Sequence, residues 1–318
     1  MAKFRNISIV VLFPIVLYAL FSMLTPRFGI GNIFIVLIQM IIPSLIGFAL
    51  YQCISGGMFD LSIGAKVILS AYVGAKLSEN YGVAGLVIGC MVSSLVLGAI
   101  TGALYTYLKI PSMVLAMCLI LIFEPLPVIL FNQVYISIDK DISFLGKPPY
   151  SIIIALAVFF IFIIISYYTK YSSHIRAVGS EENLAKTMGI NTDKVKFQAY
   201  LMSGFLCGFV ALLYICYSSN ISSLSSLGSI KLVFKPLMGV MLAVGFASFI
   251  NIGIAIVIGQ ILVTIIFNGL IAFGLPNTIQ DMVLGFFLLF VIAIMVNKDA
   301  MLLSVRRFKH KKLNYRKI

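Results

Sequence analysis

Lys66 and Glu124 are the ionisable residues placed most clearly inside long apolar runs of this chain, and Asp60 stands where one such run is broken. A charge in such surroundings is costly unless it meets a partner, a cavity or a route to water. Lys66 and Glu124 are opposite in sign, so a pair between them across two helices is one expected arrangement, and snorkelling to an interface is the other. Asp60 lies in Gly56-Gly57-Met58-Phe59-Asp60-Leu61-Ser62-Ile63-Gly64, where two glycines break an apolar run. There it can cap the following helix by accepting hydrogen bonds from amides near Ser62 and Ile63. A helix broken at this place can also line a path, because unwound backbone at membrane depth survives only where protein or water satisfies it. Gly57, Asp60, Ser62, Lys66 and Glu124 are therefore the candidates for such a path. Residues for bond-breaking chemistry are scarce. His174 and His310 stand alone, no phosphate-binding glycine loop or nucleophile motif occurs, and the five cysteines lie in apolar segments without C-x-x-C spacing. Neither a metal site, a disulfide nor a cofactor is expected, and an enzyme finds little support.

The elements that hold these residues are membrane-length. With 61% hydrophobic and 10% charged residues in 318, and a mean hydropathy of +1.12, the chain has too little polar surface for a soluble domain. It reads as a single all-α polytopic membrane domain over residues 1–318. About ten spans are expected, at residues 7–24, 32–53, 58–77, 83–108, 111–131, 151–168, 197–217, 237–250, 252–272 and 279–296, the eighth being short. Ten spans put both termini on one side. A cytoplasmic amino end places 16 of the 23 basic residues in inside loops and tails, including the tail 298–318, so both ends are expected in the cytoplasm. The net charge of +13 then reads as topology and lipid headgroup contact, with no nucleic acid implied. Glycines four apart, at Gly85 and Gly89, Gly98 and Gly102, and Gly204 and Gly208, mark places where helices can approach closely.

One long polar interruption remains, YSSHIRAVGSEENLAKTMGINTDKVK at residues 171–196, on the inside by the same charge count. A short helix is expected in it, opened by Gly179-Ser180, with Glu181 and Glu182 in its first turn and Gly189 at its end. At about eight residues it needs a surface to lie on. Leu184 and Met188 supply a small apolar stripe, and Thr192 is expected to cap the next helix. The string Arg176, Ala177, Gly179, Glu181, Asn183, Ala185, Gly189, Ile190, Lys194, Lys196, followed by Ser203-Gly204, resembles the cytoplasmic loop of the ribose-type ABC importer permeases. The stretch from Gly56 to Gly64 is similar to that family's G-G-x-D-L-S-x-G. The chain departs from the family after the outer serine-rich loop, where Lys235 stands and the usual acidic residue and glycine pairs are absent.

The resemblance implies a permease subunit in the bacterial plasma (inner) membrane. Its coupling helix, formed by Arg176, Gly179, Ser180, Glu181, Glu182, Asn183, Ala185 and Gly189, would sit in a separate ATP-binding subunit. A second permease subunit, identical or paralogous, and an external or periplasmic solute-binding protein are the other implied partners. The implied solute is a monosaccharide or similar small polar molecule. Alternatives are a nucleoside, a branched-chain amino acid, a furanone-type signal, or an ion-coupled carrier without an ATPase.

Overall fold

A computed structural model describes residues 2–25, 28–247, 249–276, 278–280 and a few positions as far as 289. Most of the tenth expected span and the basic tail lie outside the described residues. Among the described residues the chain is all-α apart from two three-residue strands, and seven helical stretches are long and apolar enough to cross a membrane. α1 (Ala2–Leu24) is followed by α2 (Ile33–Gln39) and α3 (Ile41–Ile54), which together form one 22-residue apolar stretch.

α4 (Ile63–Leu108) is 46 residues long and joins what the sequence reads as two spans. Drawn straight it would run about 70 Å. It reverses at Gly82 (φ 58°, ψ −140°), a backbone conformation that essentially only glycine tolerates. The two arms then lie so close that a Cβ on Gly89 would stand 2.7 Å from Gly74 Cα. Small residues let backbones touch where no hydrophobic force separates lipid from protein, so packing itself must hold the helices together.

The same device joins the returning arm to α10 (Thr192–Ser218). A Cβ on Gly98 would come 2.9 Å from Gly204 Cα, and one on Gly208 would come 2.7 Å from Met91 Sδ. Between them run α5 (Ser112–Phe123), α6 (Leu126–Phe131) and α7 (Tyr150–Ile163), whose last turns widen into a π-helix, Ile164–Tyr168. Glu124-Pro125 separates α5 from α6: Glu124 keeps helical angles (φ −60°, ψ −43°), but the proline has no N–H to continue the hydrogen bonding of α5. The chain continues through the loop helices α8 (Lys170–Ser180) and α9 (Glu182–Thr187), then α10, and closes with α11 (Lys231–Phe246) and α12 (Ile252–Ala272).

The connections gather on two opposite faces. On one, β1 (Tyr135–Ser137) pairs antiparallel with β2 (Asn220–Ser222), with Ile136 opposite Ile221. The Tyr72 hydroxyl donates to Val134 O and reaches Ile221 O, pinning this sheet to α4. From β2 the chain turns back inward. A Cβ on Gly64 would come 2.2 Å from Ser229 O, eight residues or about 12 Å down α4 from Tyr72. This re-entrant turn explains why the eighth span reads short: α11 begins at Lys231, below the sheet, and helix replaces part of the loop expected as far as residue 236. On the other face lie α8, α9 and the break between α3 and α4.

Candidate functional site

The polar loop folds as two helices where one is expected. α8 runs to Ser180, and Glu181, extended at φ −157°, ψ 103°, separates it from the six-residue α9. Gly179 thus closes a helix. Its special requirement is contact: a Cβ there would lie 2.1 Å from Ser55 O at the end of α3. Gly189 (φ 81°) ends α9 as expected, with its amide bonded to Lys186 O and that of Ile190 to Ala185 O, a Schellman closure. The cap of α10 is Asn191, which accepts from Lys194 N at 3.0 Å, one residue before the Thr192 expected in that role.

Ile175, Val178 and Ala185 face inward and pack with Cys53 at the end of α3, Met58 of the break, and Val195, Ala199 and Tyr200 of α10. A Cβ on Gly56 would stand 2.5 Å from Ile175 Cδ1. Ala185 is 2% exposed, so it holds the loop together, whereas Leu184 and Met188, 58% and 71% exposed, face outward with Ser180, Glu181 and Asn183. Arg176 donates to Ser172 O and lies over the Tyr167 ring. Glu182 binds Lys186 at 2.9 Å and Lys196 at 2.8 Å, tying α9 to the second turn of α10. Those hydrogen bonds, Lys196 first, hold its carboxyl down at about 2.

Three residues above this seat the break carries its charges. Gly57 takes φ 75°, turning α3 out of its helix. Asp60 accepts from Ser62 N at 3.0 Å and from Ser62 Oγ, and its other oxygen meets Lys66 Nζ at 2.6 Å. Asp60, Ser62 and Lys66 are all fully buried, and Lys66 Nζ lies 5.6 Å from the Tyr200 ring centre. Asp60 accepts from the Ser62 amide as expected, one residue before α4 begins, while the N-cap position Ser62 makes no side-chain cap bond; the pair between Lys66 and Glu124 is not found. Lys66 closes with Asp60 because its flexible stem reaches back over the first turn of its own helix. Glu124 is already satisfied elsewhere, accepting from Ser229 N at 2.8 Å and Leu227 N at 3.0 Å at the start of the re-entrant helical turn. The carboxylate there meets amides that a helix leaves without internal partners. None of Gly57, Asp60, Ser62, Lys66 and Glu124 lines the four cavities described. Ser55, Tyr200, Leu227 and Ser229 were not anticipated; three of them act through backbone atoms, which leave no mark on residue type.

Among known proteins, residues 32–292 match the model of the family described as the branched-chain amino acid transport system permease component. The chain belongs to this family. It is a divergent ABC transporter permease, as the loop and the glycine motif implied, and a multi-pass protein of the bacterial inner membrane. It is similar to a probable ABC transporter permease of Escherichia coli, 25% identical over 93% of this chain and 90% of that protein. The autoinducer 2 import system permease of Photorhabdus luminescens is 26% identical over 73% of this chain and 72% of its own length. The ribose import permease of Escherichia coli is 23% identical over 65% and 68%. No solved structure matches the chain.

Proposed function

We propose that this permease forms the translocation path of an ATP-driven importer of a small polar solute, with a ribose-like monosaccharide as the leading candidate. It crosses the membrane ten times with both ends in the cytoplasm. ATP is hydrolysed on a separate subunit, into which α8 and α9 dock, and a second permease and an external solute-binding protein complete the assembly. The observation that carries this reading is the seat of the loop. Gly179 rests on Ser55, Ile175 rests on Gly56, and Met58 is shared between loop and break. A push on α9 is therefore delivered to the start of α4 and to its Asp60–Lys66 pair through direct backbone contact. Packed elements of this kind move as units, so a small displacement at the loop is passed on as a tilt or slide of α4. The names of the relatives, ribose and autoinducer 2, support a polyhydroxylated solute of modest size. An ion-coupled carrier gains nothing from the buried charges, since Asp60 and Lys66 neutralise each other and Glu124 is saturated by amides.

Leu184→Glu with Met188→Glu tests the docking role without touching the inward packing. The expected result is a chain that still inserts in the membrane but no longer co-purifies with an ATP-binding subunit. Retention of that subunit at the wild-type level would end the assignment of α9 as the docking helix.

A further inference from the structure

Away from the loop and its seat, a cavity of about 250 Å³ opens between α2, α3, α11 and α12. It is smaller than the roughly 300–1,000 Å³ of pockets for drug-sized ligands, a size suited to a small solute. Its lining departs from the apolar character of the chain: Gln39, Gln260, Thr264, Asn268 and Lys235 all contribute, beside Phe267. Two larger cavities among the described residues are lined almost wholly by aliphatic and aromatic groups, as lipid-facing grooves should be.

Gln260 forms part of the cavity wall. It is fully buried, its Nε2 donates to Pro236 O at 2.7 Å, and its Oε1 has no hydrogen-bond partner. A Cβ on Gly239 would stand 2.3 Å from Gln260 Nε2, so a side chain there would displace the Gln260 amide. Two turns further along α12, Asn268 Nδ2 donates to Gln39 Oε1 at 2.7 Å, which leaves the Asn268 oxygen and a Gln39 amide hydrogen for another partner. Thr264 stands between them on the same helix face. Lys235 Nζ lies 4.1 Å from the Phe267 ring centre, in the segment where the sequence departs from the ribose-type pattern.

We infer that this cavity is a solute-binding station for an uncharged polyhydroxylated molecule, on the path through the permease. Amide and hydroxyl groups both donate and accept, as a sugar hydroxyl does. A zwitterionic amino acid would need a carboxylate for its ammonium group, and none is present among the described lining residues. The inference deepens the importer reading and rests on it for the direction of flow.

The test uses the full chain in native membranes, with Cys118→Ser to remove the exposed native thiol while the four buried cysteines remain. Thr264→Cys and Asn268→Cys are treated with a trimethylammonium-ethyl methanethiosulfonate reagent. Ile261→Cys, on the same helix but lining an apolar cavity, is the control. The reagent attacks only thiolate, which forms where water reaches the sulfur. The expected result is labelling at least roughly tenfold faster at 264 and 268 than at 261, slowed by a millimolar mixture of pentoses and hexoses. Rates equal to that of Ile261→Cys would overturn the cavity as a watered station. Protection by a mixture of leucine, isoleucine and valine, or by neither mixture, would overturn the class of solute. Labelling requires neither ATP nor partners, so a chain that passes this test yet co-purifies with no ATP-binding subunit would refute the importer reading and leave the station standing.

Discussion

Lys66 is the residue on which the break depends. Its ammonium is fully enclosed, held by the Asp60 carboxylate and set near the Tyr200 ring. Removing one partner of a buried pair leaves the other charge uncompensated, at a cost of about 3–5 kcal/mol, whereas replacing both by apolar or neutral groups is often close to neutral. Lys66→Met should therefore lower the thermal midpoint of the purified protein sharply, and Asp60→Asn with Lys66→Met should recover most of the loss. A double variant as unstable as the single would show that the two residues act independently. Glu124→Lys with Lys66→Glu, by contrast, is expected to rescue nothing, because these side chains belong to separate networks.

In the proposed importer, force would pass through α8–α9 with the end of α3 beneath it. Contact at Gly179 is so close that any side chain must displace Ser55. Gly179→Val should leave the chain in the membrane and the ATP-binding subunit attached, yet abolish stimulation of its ATPase by the loaded binding protein; normal stimulation would count against transmission through this seat. The Glu182 tie adds a pH argument. Its carboxyl is lowered in the folded protein, so its contribution is complete above the ordinary carboxylate range and fades as pH falls towards about 2. Attachment of the ATP-binding subunit, measured by co-purification, should accordingly be flat between about pH 5 and pH 8. For a partly exposed pair, Glu182→Gln should cost only about 0.2–1 kcal/mol of stability.

At the scale of the whole molecule, the reversal at Gly82 and the β1–β2 sheet mark one face, and α8–α9 with the break mark the other. Ser180 and Asn80, both exposed, stand on these two faces. Single cysteines there should react with an impermeant thiol reagent from opposite sides of the membrane, Ser180→Cys only from the cytoplasm and Asn80→Cys from outside. Labelling of both from one side would contradict the ten-span topology. The arrangement also gives the departure at Lys235 a place: it borders the polar cavity, far from the loop that matches the family well.

Sequence alone determined the class of the protein, the polar loop, the Gly56–Gly64 break and the glycine contacts of α4 and α10. These follow from the length of apolar runs, from capping over one turn and from the room a missing side chain leaves, all of which are written locally. Tertiary structure decided the rest: that Lys66 turns to Asp60, that Glu124 holds amides more than a hundred residues away, that Ala185 faces in while Leu184 and Met188 face out, and that Gln260 is walled in beside a polar cavity. A buried charge takes the partner that packing brings within reach, and packing depends on where distant helices cross, which no short stretch of chain encodes.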